Sequence, residues 1–178
     1  ASKSYINFAT QLAVAGVSLR TSARIVSSWI EKSNDYIESL NLFTVALGEY
    51  AGQAQQFAEH VSDVMGIDPA EWMRNQGVFM TLASGFGAVN DRAYTMSQNL
   101  THLGYDLSSF FNITTEDAFQ KLQSGISGEL EPLRRLGFDL SVARLQQEAL
   151  NLGIQESVNT MTQAEKAELR YYAIMTQV

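Results

Sequence analysis

With 178 residues, 46% of them hydrophobic and 17% charged, the chain can bury a core and lies outside the composition of wholly disordered segments. It has no cysteine, which excludes disulfides, thiolate metal sites and cysteine nucleophiles. The net charge of −7 is spread evenly, with six basic and nine acidic residues over 1–96 and six and ten over 97–178. Neither half concentrates Lys and Arg for gripping phosphates, so no stable binding of duplex DNA is expected.

Proline appears only at Pro69 and Pro132, and Gly, Ala, Leu, Gln and Ser dominate, which favours an all-α fold. There is no run of 18 uncharged apolar residues for a plain membrane span, and no signal-peptide pattern. The missing initiator Met, and an end at Gln177-Val178 inside a helical pattern, suggest a segment of a longer polypeptide. The expected division is a long helix over 1–47 and a compact helical region over 48–178.

In the first segment Tyr5, Phe8, Leu12, Ala15, Leu19, Ser22, Val26, Trp29, Ser33, Tyr36, Leu40 and Phe43 recur at alternating steps of three and four. All but the two serines are apolar or aromatic, a 3.5-residue period held for more than five heptads. One helix of about 60 Å is expected if about 40 residues are helical. Its seam either packs on the chain's own globular part or drives self-association with identical helices. As a membrane-surface helix it has few basic residues, because Arg20, Arg24 and Lys32 are balanced by Glu31, Asp35 and Glu38.

Residues 49–65 read as a helix with Tyr50, Ala54, Phe57, Ala58, Val61, Val64 and Met65 on one face, ended by Gly66. Asp68-Pro69-Ala70-Glu71 is a helix start, with Asp as cap, Pro at the first helical position and Glu three residues after the cap. That helix runs toward Phe79 and Leu82, with Gly77 a bend inside it. Ser84-Gly85-Phe86-Gly87 punctuates the chain, and residues 89–103 form the next helix.

The stretch 99–144 carries the densest punctuation. Its two related pieces, Leu103-Gly104-Tyr105-Asp106-Leu107 and Leu136-Gly137-Phe138-Asp139-Leu140, each read as a helix end with glycine in the left-handed position. Between them Thr114-Thr115-Glu116-Asp117 opens a helix whose Ala118, Phe119, Leu122 and Ile126 form a buried stripe. Gly125, Gly128 and Pro132 mark the turn that follows. Gly104, Gly125, Gly128, Pro132 and Gly137 are thus the expected structural turns.

Catalytic patterns are thin. His60 and His102 lack His-Glu-x-x-His spacing, and Glu59, His60 and Asp63 on one turn read as a solvated helix face, not a metal site. Gly85-Phe86-Gly87 lacks the third glycine and preceding strand of a dinucleotide loop. Gly125-Ile126-Ser127-Gly128-Glu129 has Glu129 where a nucleophile elbow requires a glycine two residues after the serine, and no strand precedes it. Glu129 and Glu131 read as exposed turn carboxylates without a cleft. No enzyme, cofactor or metal is expected.

The segments GVFMTLASGFGAVN (77–90), LTHLGYDLSSFFN (100–112) and AFQKLQSGISGELEPLRRLGFDLS (118–141), continued by TQAEKAELR (162–170), resemble the conserved region of bacteriophage tail tape-measure proteins. The likeness extends over about residues 29–178, and the Gly, Pro and aromatic punctuation of the middle block is its specific part. The resemblance implies a structural virion protein that templates tail tube length, takes part in tail tip assembly and leaves ahead of the genome at ejection. It further implies a homo-oligomer, with a trimer favoured, that contacts tail tube and tail tip or baseplate proteins. The location implied is the tail lumen and tip after synthesis in the bacterial cytoplasm, with membrane contact during infection. The alternative is a helical membrane-active or pore-forming delivery module.

Overall fold

The computed structural model describes residues 44–88 and 90–178, all helix, turn and loop, with no strand among them. The all-α class therefore holds, while the seam of residues 5–43 and the long helix that would carry it lie outside the described residues. The chain divides into two compact units, Ala1–Thr81 and Leu82–Val178.

In the first unit, residues 44–47 are helical and lead through a 3-10 turn, Gly48–Tyr50, into α1, Ala51–Met65. Ala51, Ala54, Gln55, Ala58 and Val61 form the buried stripe of α1, so small side chains set its approach to its neighbours. Val64 and Met65, expected on that face, are exposed: the stripe stops at Val61, and the last turn stays in solvent. Gly66 ends α1 at φ +70, its N–H donating to the Ser62 carbonyl at 3.0 Å. α2, Pro69–Gly85, starts where the Asp68 carboxylate accepts from the Ala70 N–H at 2.8 Å. Trp72 is fully buried against Phe57, with ring centroids 5.6 Å apart, and its indole N–H donates to the buried Gln76 at 2.9 Å. That bond satisfies the one polar group a buried indole carries.

The second unit contains α3 (Asn90–Phe111), α4 (Thr115–Ser127), the four-residue α5 (Glu131–Arg134), α6 (Val142–Asn151), a 3-10 turn (Val158–Thr160) and α7 (Gln163–Met175). α4 is the hub, packing on α3, α5 and α7, while α6 packs on α7. The expected stripe Ala118, Phe119, Leu122 and Ile126 is buried in it. The starts of α4, α6 and α7 have hydroxyl caps: Thr114 accepts from the Asp117 N–H, Ser141 from Arg144, and Thr162 from Glu165. At Thr162 the Glu165 carboxylate returns a bond to the cap N–H at 2.7 Å, and this holds Glu165 below the usual carboxylate range. Such caps are each worth about 1 kcal/mol.

Two expectations fail here. α3 does not end at Leu103-Gly104 but runs to Phe111, so LGYD is helix and not a turn. The chain turns eight residues beyond Gly104, at Asn112, the one described non-glycine residue with positive φ (+51), where the Ile113 N–H reaches back to the Ser108 carbonyl at 3.1 Å. Asparagine is the residue that best tolerates this conformation after glycine. Similarly, Gly125 lies inside α4 and the turn comes later, at Gly128, whereas the punctuation expected at residues 84–87 holds, since α2 ends at Gly85 and Gly87 takes φ +85.

Candidate functional site: a helical corner and its groove

The stretch singled out by its punctuation closes into a corner of α3, α4 and α5, and its glycines serve two different purposes. Gly104 and Gly125 are contact points. A Cβ at Gly104 would fall 2.7 Å from Cζ and 2.8 Å from Cδ1 of the buried Phe119, whose ring also meets Tyr105 edge to face with centroids 5.1 Å apart. A Cβ at Gly125 would lie 2.9 Å from Cγ of the fully buried Leu133, so its absence lets α5 fold back on α4. Gly128 and Gly137 are true corners, at φ +111 and +96. Both carry the paired bonds of a Schellman turn: Glu129 N–H to Ser124 with Gly128 N–H to Gly125, and Phe138 N–H to Leu133 with Gly137 N–H to Arg134. Pro132 sits in the first turn of α5, where its missing N–H costs nothing.

Arg170 of α7 locks this corner from behind. Its side chain is buried, its Nη1 donates to the Ile126 carbonyl at 3.1 Å, and its guanidinium lies where a Cβ on Gly128 would meet it at 3.2–3.3 Å. Burial pushes the guanidinium pKa down from its ordinary value. A cation at the end of α4 is favoured by the helix dipole, which offsets part of the cost of taking it from water.

The second corner is clamped by the chain's last turn. The Gln177 amide accepts from the Asp139 N–H at 2.8 Å and donates to the Asp139 carbonyl at 2.9 Å, as a neighbouring strand would. The Asp139 carboxylate accepts from the Ser141 N–H at 2.9 Å, which, with weaker help from Arg144, holds it below the usual carboxylate range. Nearby, Glu148 is buried and accepts from Arg144 at 2.7 Å and from the Thr176 hydroxyl at 3.0 Å, tying α6 to α7. Nothing in the local sequence announced Gln177 or Arg170, since both act on backbone more than 35 residues away. Gly153, at φ +78 after α6, is another Schellman corner, legible from its place just after an apolar helix end.

Between the C-terminal half of α3, the Gly137 corner and the end of α7 lies a groove of about 770 Å³. Leu103, Leu107, Phe111, Leu136, Phe138 and Met175 are among the apolar residues that line it. Phe110 stands at its rim, 82% exposed.

No family model, curated protein or solved structure matches this chain.

Among the described residues no three His, Asp or Glu side chains lie together as metal ligands, and no helix is long and apolar enough to cross a membrane. His102 faces Asp106 at 3.1 Å along α3, an exposed pair one turn apart. Glu131 is held by Arg134 and Arg135, and its carboxyl lies below the ordinary range because of them. What the site offers is shape: tightly crossed helices and one open apolar groove.

Proposed function

We propose that this chain is a segment of a bacteriophage tail tape-measure protein, in which the corner of residues 99–144 acts as a docking element at the tail tip. One observation carries the reading. The stretch whose punctuation resembles that family is the stretch whose Gly104, Gly125, Gly128, Pro132 and Gly137 close the helical corner. Such a corner is wide beside a single helix, so it serves by shape, whereas a ruler serves by length at about 1.5 Å per helical residue. In this reading the chain self-associates, contacts tail tube and tail tip proteins, and acts as a structural protein rather than an enzyme.

The test is excision of residues 114–133 from the full-length protein in a phage that carries it. Removing Phe119, Leu122 and Leu133 together destroys the corner, so tails should be absent or uncontrolled in length by electron microscopy. Excising two heptads from residues 12–26 should instead shorten tails by about 21 Å if that region belongs to the ruler. Normal tails and normal infection from the 114–133 excision would end the reading. Liposome binding by the chain at low ionic strength, with tails unaffected, would favour the membrane-active alternative.

A further inference from the structure

The groove beside α3 has floor residues, Leu103, Leu107 and Phe138, that are almost wholly buried, yet at its rim it leaves the large apolar side chain of Phe110 facing water. Phe110 is 82% exposed there, and among the described residues its ring meets that of Phe111 in an edge-to-face arrangement, with centroids 4.9 Å apart. Its volume of about 770 Å³ lies within the range of about 300–1,000 Å³ typical of ligand pockets. It is bordered by the last three turns of α3, about 18 Å of helix, a length that several anchor side chains can follow.

Among the described residues its lining carries one carboxylate, Asp106, paired with His102 at 3.1 Å, and no Lys or Arg. Arg134 and Arg135, next in sequence to Leu136, are both held by Glu131. Two helices, α3 at Phe111 and α7 at Met175, end on the groove and present the negative ends of their dipoles. An apolar floor under an electronegative rim complements a ligand that is apolar on one face and cationic on the other. We propose that this groove is a docking site for a basic amphipathic helix of a partner protein, which seats aliphatic or aromatic anchors between Leu107 and Phe138 and places Lys or Arg beside Asp106 and the ends of α3 and α7. This rests on the groove alone and stands whether or not the chain belongs to a phage tail.

The experiment uses the full 178-residue chain and two fluorescein-labelled peptides of about 18 residues, the length of helix-in-groove ligands. One carries Leu and Phe on one helical face and Lys on the other, and its twin has Glu in place of every Lys. Fluorescence anisotropy should show saturable binding of the Lys peptide only. Phe110→Ser, at a side chain too exposed to support the fold, should weaken binding by about tenfold, as loss of an aromatic anchor does. Asp106→Lys should weaken it several-fold, whereas Glu116→Lys, which changes net charge equally on the exposed first turn of α4, should leave it unchanged. No binding up to about 100 µM would overturn the proposal. Equal binding of the two peptides, or Phe110→Ser and Asp106→Lys variants that bind like the parent, would also overturn it. A chain that self-associates in sedimentation, becomes monomeric with Phe110→Ser and ignores both peptides would assign the groove to a second copy instead.

Discussion

Leu103-Gly104-Tyr105-Asp106-Leu107-Ser108 and Leu136-Gly137-Phe138-Asp139-Leu140-Ser141 differ only in Tyr for Phe, yet one is the middle of a 22-residue helix and the other is a corner. In the first, Asp106 turns along the helix to His102 and Gly104 receives the ring of Phe119. In the second, Asp139 turns onto the Ser141 N–H, Ser141 caps α6, and Gly137 takes φ +96. What precedes each piece differs. Residues 90–103 hold no breaker, so extending an established helix through Gly104 costs only the glycine penalty of about 1 kcal/mol. Before Gly137 there is only the four-residue helix Glu131–Arg134, too short to propagate on its own. What packs on each piece differs as well: a ring from α4 on the first, the Gln177 amide on the second. A local motif sets what a segment can do, and its partners choose.

The largest expected effect tests the contact role of Gly104. Gly104→Val drives two methyls into the Phe119 ring inside the α3–α4 crossing and should destabilise the chain by about 3 kcal/mol, as overpacking of a core does. Even Gly104→Ala, which gains about 1 kcal/mol of helix propensity, should lose more than that to the clash. Chemical denaturation of the variants measures both. Pairing Gly104→Ala with Phe119→Leu should recover part of the loss, because the two groups compete for one space.

Next in size is the corner. Gly137→Ala forces an alanine to φ +96 and should cost about 1–2 kcal/mol. Gly137→Asn should be milder, since asparagine tolerates that conformation. At position 104 the order reverses: Asn is bulkier than Ala and should be worse. Equal rankings at the two positions, read from the same denaturation curves, would erase the distinction between contact and corner.

Much of this was legible beforehand. Thr114, Asp68-Pro69, Gly66 and the Ala118-Phe119-Leu122-Ile126 stripe act as the sequence suggests because each is decided within a turn or two of chain. Gly104 and Gly125 were misread as turns because a glycine that admits a neighbour's side chain looks, in sequence, like one that turns the chain. Only the partners, Phe119 and Leu133, separate the two cases. The groove was not legible either, since its walls come from three separated stretches, 99–111, 136–138 and 175–178.

A smaller effect isolates the clamp on the second corner. Gln177→Ala removes both bonds to the Asp139 backbone and should cost about 1 kcal/mol at this exposed place. Amide exchange at Asp139 should quicken while that at Tyr105, inside α3, stays as in the parent. The smallest effect is on pH. The Asp139 carboxyl is held below its ordinary value chiefly by the Ser141 N–H. Its contribution is therefore present above the unfolded pKa of about 3.9 and is lost as pH falls through the lower folded value. The stability gap between the parent and Asp139→Asn should be a few tenths of a kcal/mol, about what an exposed charge gives, and should close as the pH falls below the ordinary carboxylate range. Thermal melts at stepped pH measure it.

The central claim is that residues 99–144 work as a folded, docking shape and not as a stretch of extended ruler. Density for this segment within an assembled phage tail that contains it tests the claim most directly. The account predicts a compact corner at the tail tip, with α4 crossing α3 where the Phe119 ring covers Gly104. A continuous extended helix through residues 99–144 along the tube lumen, with no such crossing, would contradict it.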